Sequence, residues 1–252
     1  MKKVSGSKTV FVPITRAGRN FLPDIEDLRD KYIKYIDFVP MNSIPDSNKP
    51  AISDNKTNLT MTLFARSGNI IVSENLPLDR YNINLNRGVR VPIMRKLNIF
   101  NSFINALDDT QIGKTVVLVF WYDTPSCSRC NRSNDTDINF FEIPIINGSG
   151  FNPFPDNRVM VDKRFRNFFV NFTNNLPSGG VSITEANTKD FYLTFRKGTF
   201  AVLDLIPLPL FFQLGLYEQL ELANITFDFT NSFAKVGGLN NTASKNKLQK
   251  LL

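Results

Sequence analysis

The sequence predicts an all-β protein built as two tandem antiparallel β-sandwiches, and three observations predict it. The first is a stretch that occurs twice: residues 62–78 read TLFARSGNIIVSENLPL and residues 192–208 read YLTFRKGTFAVLDLIPL. At an offset of 130, Leu63 meets Leu193, Arg66 meets Arg196, Gly68 meets Gly198, Glu74 meets Asp204 and Pro77-Leu78 meets Pro207-Leu208. Each copy is an apolar run, an Arg-x-Gly turn, a second apolar run and a Pro-Leu stop. That is the pattern of a hairpin, because glycine supplies the positive φ of a tight turn and proline cannot donate to a continuing ladder. The second observation is order. Val12-Pro13-Ile14 recurs as Ile143-Pro144-Ile145, Leu22-Pro23-Asp24 as Phe154-Pro155-Asp156, and Asp30-Lys31 as Asp162-Lys163. The third is composition: 23 Phe and 6 Tyr in a chain poor in alanine and rich in asparagine favour strands over helix bundles.

The elements follow in order. Residues 1–9 read as a flexible arm, and Val10 to Ile14 as a first strand whose Pro13 sits at a sheet edge or strand end. Phe21-Leu22-Pro23-Asp24 starts a turn. Ile25, Leu28, Tyr32 and Tyr35 also fit a helical stripe, but the second copy, with Val159, Val161, Phe165 and Phe169 at period two, favours strands at Lys31–Val39 and Val161–Phe172. Residues 40–57, with three prolines, form a loop, and NNLPSGG at 174–180 takes its place in the second half. Leu97, Phe100, Ile104 and Leu107 lie at helical spacing downstream of Pro92, which predicts an inserted helix near residues 95–107. After Gly113, KTVVLVFWYD is a continuous apolar run, as in a central strand covered on both faces. Its counterpart is expected in ELANITFDF, where Ile225, Phe227 and Phe229 alternate. The domains are then 10–123 and 138–236, joined by the polar linker 124–137 and followed by a basic tail at 237–252.

With 42% hydrophobic and 21% charged residues in 252, either half is long enough to bury a core. The net charge of +7 favours an anionic neighbour, nucleic acid or lipid head groups, or simply a solvated surface. No basic cluster or nucleic-acid motif accompanies it. The N-terminus is not expected to be a secretory signal, and FAVLDLIPLPLFF at 200–212 is interrupted by Asp204 and two prolines. No window approaches the roughly 18 apolar residues of a spanning helix.

The chain has no histidine. Ser-His-Asp and Cys-His nucleophilic catalysis and His-based metal sites are therefore excluded. Cys127 and Cys130 form one C-x-x-C in the linker: an incidental thiol pair or local disulfide, or half of a shared metal site, or a redox pair. Asp123, Glu142 and Asp228 lie on strands or strand ends, where carboxylates are usually solvated, and nothing sets two of them at a glycosidase separation. Asp24 and Asp156 follow proline and read as turn formers. Sequons occur at Asn58, Asn147, Asn171 and Asn224 among others. No phosphate-binding glycine loop occurs. The expectation is a protein without catalytic, cofactor or metal-ligating residues.

Tandem hairpins at 62–78 and 192–208, the apolar strands VVLVFWYD and ITFDF and the insertion at 95–107 together resemble the double jelly-roll coat proteins of tailless viruses, phages included. The resemblance is architectural and spans residues 10–230. It implies two jelly-roll-like domains, a homotrimer making a pseudo-hexagonal capsomer, a virion location after assembly in the host cytoplasm, and contacts with neighbouring virion proteins. The physical logic is that duplication makes six similar wedges from three chains. On that reading the basic ends at residues 1–8 and 244–250 face lipid or genome. A penton, collar or spike protein shares these features, and the competing class is a glycan- or receptor-binding module using loop aromatics such as Phe151 and Phe154.

Overall fold

The computed structural model describes residues 5–45, 49–67, 70–86, 89–123, 143, 150–155, 185–210 and 228–236, with backbone alone for 150, 185–187, 228–230 and 236. The protein is all-β. Its strands are β1 (Gly6–Pro13), β2 (Gly18–Phe21), β3 (Tyr32–Phe38), β4 (Leu59–Ala65), β5 (Ile71–Pro77), β6 (Pro92–Ala106), β7 (Thr115–Asp123), β8 (Gly150–Pro153), β9 (Phe191–Lys197), β10 (Phe200–Pro207) and β11 (Asp228–Val236). Hydrogen bonds link them in the order β5-β4-β6-β3-β7-β1-β10-β9-β11-β8, with β2 added on β6. Every pairing is antiparallel except β1 with β10.

β6 carries the chain between two facing layers. Its start pairs with β3 through Arg95 and Lys96, and its remainder pairs with β4 and β2 from Leu97 to Ala106. This overturns the helix expected at 95–107. Leu97, Ile99, Ile104 and Ala106 turn into one core, while Phe100 and Leu107 are exposed, so the four apolar residues read as a helical stripe share no face. A bulge produces the false spacing. Thr62 and Phe64 on β4 pair with Phe103 and Asn98, so the residues between Asn98 and Phe103 bow out and shift the period-two pattern. Side chains stabilise the bow: Asn98 Oδ1 accepts from the Asn101 amide at 3.2 Å, and Ser102 Oγ donates to the Asn98 carbonyl at 2.7 Å.

β7 is covered on both faces, as its apolar run predicts. Val116, Leu118 and Phe120 join Val10, Val12, Ile33, Ile36, Leu59, Met61 and Leu63 in the first core. Val117, Val119 and Trp121 join Leu193, Phe195, Leu203 and Ile206 in a second core. That second core is built from both predicted domains. The first strand starts earlier than expected, since Gly6–Thr9 belong to β1 and not to an arm, and Ser7 and Thr9 are buried. Pro13 is the last residue of β1, where its missing donor costs least. The predicted strand Lys31–Val39 is β3, and the predicted loop at 40–57 carries only isolated bridges in its described part. The linker, the tail and the strand expected at 161–172 lie outside the described residues.

The two hairpins form where expected, β4-β5 and β9-β10, but their alignment changes. Met61 pairs with Leu76, Leu63 with Ser73 and Phe64 with Ile71; Leu193 pairs with Ile206, Phe195 with Leu203 and Arg196 with Ala201. The first strands therefore correspond at an offset of 132 and the second strands at 130. The later turn is two residues shorter, with Gly198 at a φ of 57°. Leu63 thus matches Phe195 rather than Leu193, and Phe64 rather than Arg66 matches Arg196.

The agreement extends to atoms. Asn75 and Leu205, both non-glycine, take φ of 46° and 48°, and each amide donates to a threonine hydroxyl, Thr62 and Thr194, at 3.1 Å. The amides of Phe64 and Arg196 donate to Ser102 Oγ and Ser232 Oγ at 3.1 and 3.0 Å. The carbonyls of the same serines accept from Leu22 and Phe154 at 2.9 and 3.0 Å. Gly18 opposite Ala106 is matched by Gly150 opposite Val236. The unit β5-β4-β6-β2 is thus repeated as β10-β9-β11-β8, which makes β11 the counterpart of β6, while most of ELANITFDF, expected as the counterpart of β7, lies outside the described residues.

Ser102→Ala and Ser232→Ala should each strip a partner from a part-buried strand amide, at about 1 kcal/mol apiece. Urea unfolding monitored by circular dichroism reads both. A cost at Ser102 with none at Ser232 would mean that the second unit holds its register by other contacts.

Candidate interaction surfaces

Strand alternation turns Arg19, Phe21, Phe64 and Phe103 out of the first core, onto the outer face of β2, β4 and β6. Phe103 is packed edge-on by Phe21 with ring centroids 5.9 Å apart and tilted against Phe64 at 6.4 Å, and Arg19 Cζ lies 4.8 Å from its centroid. The repeat places Phe233 at the position of Phe103. Phe151 packs on it edge-on at 4.7 Å, Arg196 lies 5.5 Å from its centroid, and Lys235 Nζ sits 4.4 Å from the Phe151 ring. The flanks are exchanged: cation on β2 and aromatic on β4 in one unit, aromatic on β8 and cation on β9 in the other. A cation over a ring face is attracted by the ring quadrupole, so these patches are both apolar and positive. Phe21 and Phe151 are about half exposed, at 52% and 53%.

The halves are joined at a polar seam. On β1, Lys8 Nζ lies 2.7 Å from Asp204 Oδ2 and 3.1 Å from Asp27 Oδ2. Burial works against the Lys8 charge, but hydrogen bonds to Asp204 and Asp27 and their attraction outweigh it and raise its pKa. Further along, Tyr192 Oη donates to the Ser43 carbonyl at 2.8 Å, Ser43 Oγ donates to Asp190 Oδ1 at 3.1 Å, and Lys189 Nζ donates to the Ser53 carbonyl at 2.9 Å. Burial pushes the Tyr192 phenol well above its ordinary range, and the nearby Asp190 carboxylate adds to this. Ser43 and Ser53 are therefore anchor points of the first half on the second unit.

Beside the seam lies a buried charge pair that no motif announced. Asp37, 1% exposed, accepts from Arg90 Nε at 3.1 and 3.0 Å and from Trp121 Nε1 at 2.7 Å. The guanidinium sits 5.9 Å from the Tyr35 ring centroid and 5.8 Å from that of Trp121.

Of the residues singled out by sequence, Asp123 ends β7 in an ion pair with Lys34 at 2.9 Å. Asp24 is exposed and paired with Arg29, whose hydrogen bonds lower its carboxyl pKa. Asn58 donates to Asp108 at 2.6 Å. Phe151 is exposed, but Phe154 is core, packed edge-on against Phe195 at 5.3 Å, so it is withdrawn from any ligand-facing loop. Asp228 starts β11. Glu142, Asp156, Cys127, Cys130, Asn147, Asn171 and Asn224 lie outside the described residues. Among the described residues no group of three acidic, cysteine or histidine side chains is placed to hold a metal ion, and no helix is long and apolar enough to cross a membrane.

The fold defines the class: an all-β protein in which one four-stranded unit recurs within a single sheet path. No protein family matches the chain, and no curated protein or solved structure does.

Proposed function

We propose that the chain is a structural subunit of a virion coat, assembling with copies of itself through two jelly-roll-like halves, as a trimer within a larger shell. The repeat carries the reading: matched register, matched serine and threonine contacts and matched positive-φ residues make the two four-stranded units similar in shape. The strand order supports it too. β6-β3-β7-β1 facing β5-β4-β6-β2 is an eight-stranded jelly-roll pattern when β6 is counted once in each layer. Chains with two similar halves tile a surface with twice as many wedges as subunits, which is the use an assembly protein has for duplication. Lys8 is held in the seam, so Lys2, Lys3 and the basic tail at 244–250 are the charges left to meet lipid or genome.

Molar mass by light scattering after size-exclusion chromatography tests this, with electron microscopy of the heavy fractions. A species near three times 28.6 kDa, growing into shells or sheets, is expected. A pentamer would move the subunit to a vertex or collar. A monomer at all concentrations would overturn the coat reading and turn attention to glycan binding at Phe151.

A further inference from the structure

Each four-stranded unit has two outer strands: β2 and β5 in the first, β8 and β10 in the second. Among the described residues β2 and β8 are alike, each paired on one side only. β5 and β10 are not alike. β10 pairs with β9 on one side and takes β1 in parallel on the other, whereas among the described residues β5 pairs with β4 alone. Among the described residues one kind of edge therefore occurs twice, covered on β10 and uncovered on β5.

The covered copy shows what the edge accepts. Ser7 lies opposite Leu203 and Lys8 opposite Asp204, and Leu203 is buried there. The positive-φ residue Leu205 bends β10 just beyond, so the same bend at Asn75 does not disqualify β5. The repeats of Leu203 and Asp204 on β5 are Ser73 and Glu74, and Glu74 is exposed. Ile70 and Ile71 stand 51% and 46% exposed at the head of the strand. A sheet edge headed by exposed isoleucines and uncovered among the described residues is a template for another chain.

We propose that the β5 edge is the docking site for a second copy of this chain, paired in parallel as β10 is paired with β1. Val12-Pro13-Ile14 at the end of β1 recurs in the sequence as Ile143-Pro144-Ile145, so it is the second half of the partner copy that carries the sequence repeat of the strand covering β10. Such a contact sets the second half of one chain against the first half of the next. It is heterologous, so it closes rings instead of pairs, and each chain adds one internal and one external junction of the same kind. Three chains then make a ring of six such junctions. The inference rests on the self-association proposed above and adds the surface through which it runs.

Hydrogen exchange of the full chain, read on peptides covering 71–77 across the concentration range in which light scattering follows association, is the test. The exposed pair Ile70→Lys and Ile71→Lys supplies the variant, because edge lysines oppose strand addition. Association should slow exchange on β5 by about tenfold or more. The lysine variant should need roughly tenfold more protein to associate, with an unchanged urea midpoint. Association with β5 exchange unaltered would overturn this edge and leave the coat reading standing. Slow exchange already in the monomer would overturn it as well, since the chain would then be covering its own edge. Absence of association at every concentration would sink both.

Discussion

Asp37→Ala should destabilise the protein by about 3–5 kcal/mol, the loss typical of removing one partner from a buried ion pair. The carboxylate is 1% exposed and accepts a bifurcated hydrogen bond from Arg90 Nε, shared between its two oxygens, and one from Trp121. Without it, a guanidinium that is itself 7% exposed loses its counter-charge, and its Nη2 has no hydrogen-bond partner among the described residues to begin with. The indole N–H is orphaned at the same time. Asp37→Asn keeps an acceptor for Trp121 and should cost less. The double change Asp37→Leu with Arg90→Met removes both charges and should cost far less than Asp37→Ala, because paired buried charges contribute little over well-packed apolar groups. Urea unfolding of the three variants separates these terms. An Asp37→Ala cost below about 1 kcal/mol would mean that water reaches the guanidinium and that the pair is not truly buried.

How much of this was legible in the sequence depends on the range of each interaction. β7 was readable because burial on both faces writes itself as an unbroken apolar run, VVLVFW. The hairpins were readable because turn chemistry is local. β6 was not, since its bulge between Asn98 and Phe103 breaks the period-two pattern and leaves Leu97, Phe100, Ile104 and Leu107 at a helical spacing by accident. The repeat is legible in the sequence, but its register along β4 and β9 is not, because the two-residue difference in turn length before Phe200 hides in any single-offset match of the whole hairpin. The parallel pairing of β1 with β10 joins residues 196 apart, and nothing local encodes it. One further long-range pairing does leave a local trace. Tyr32–Phe38 reads YIKYIDF, and two charges inside a strand of large apolar residues demand partners. Lys34 finds Asp123, and Asp37 finds Arg90.

Phe120→Ala and Trp121→Ala should each cost about 3–5 kcal/mol, as large core aromatics do, and they should fail in different places. The two are adjacent on β7, so their side chains point to opposite faces. Phe120 is fully buried among Val10, Ile36, Met61 and Leu63, in the core closed by β4 and β6. Trp121 packs with Tyr192, Phe195, Leu203 and Ile206, in the core that ties the second unit to the first, and it also donates to Asp37. A cavity on one face loosens the elements lining that face before it reaches the other. Hydrogen exchange should therefore quicken first in β4 and β5 for Phe120→Ala, and first in β9 and β10 for Trp121→Ala. Trp121→Ala should further be non-additive with Asp37→Ala, since the two share one hydrogen bond. If Trp121→Ala instead speeded exchange uniformly, the two cores would open as one cooperative unit, and the strand between them would be a keel rather than a partition.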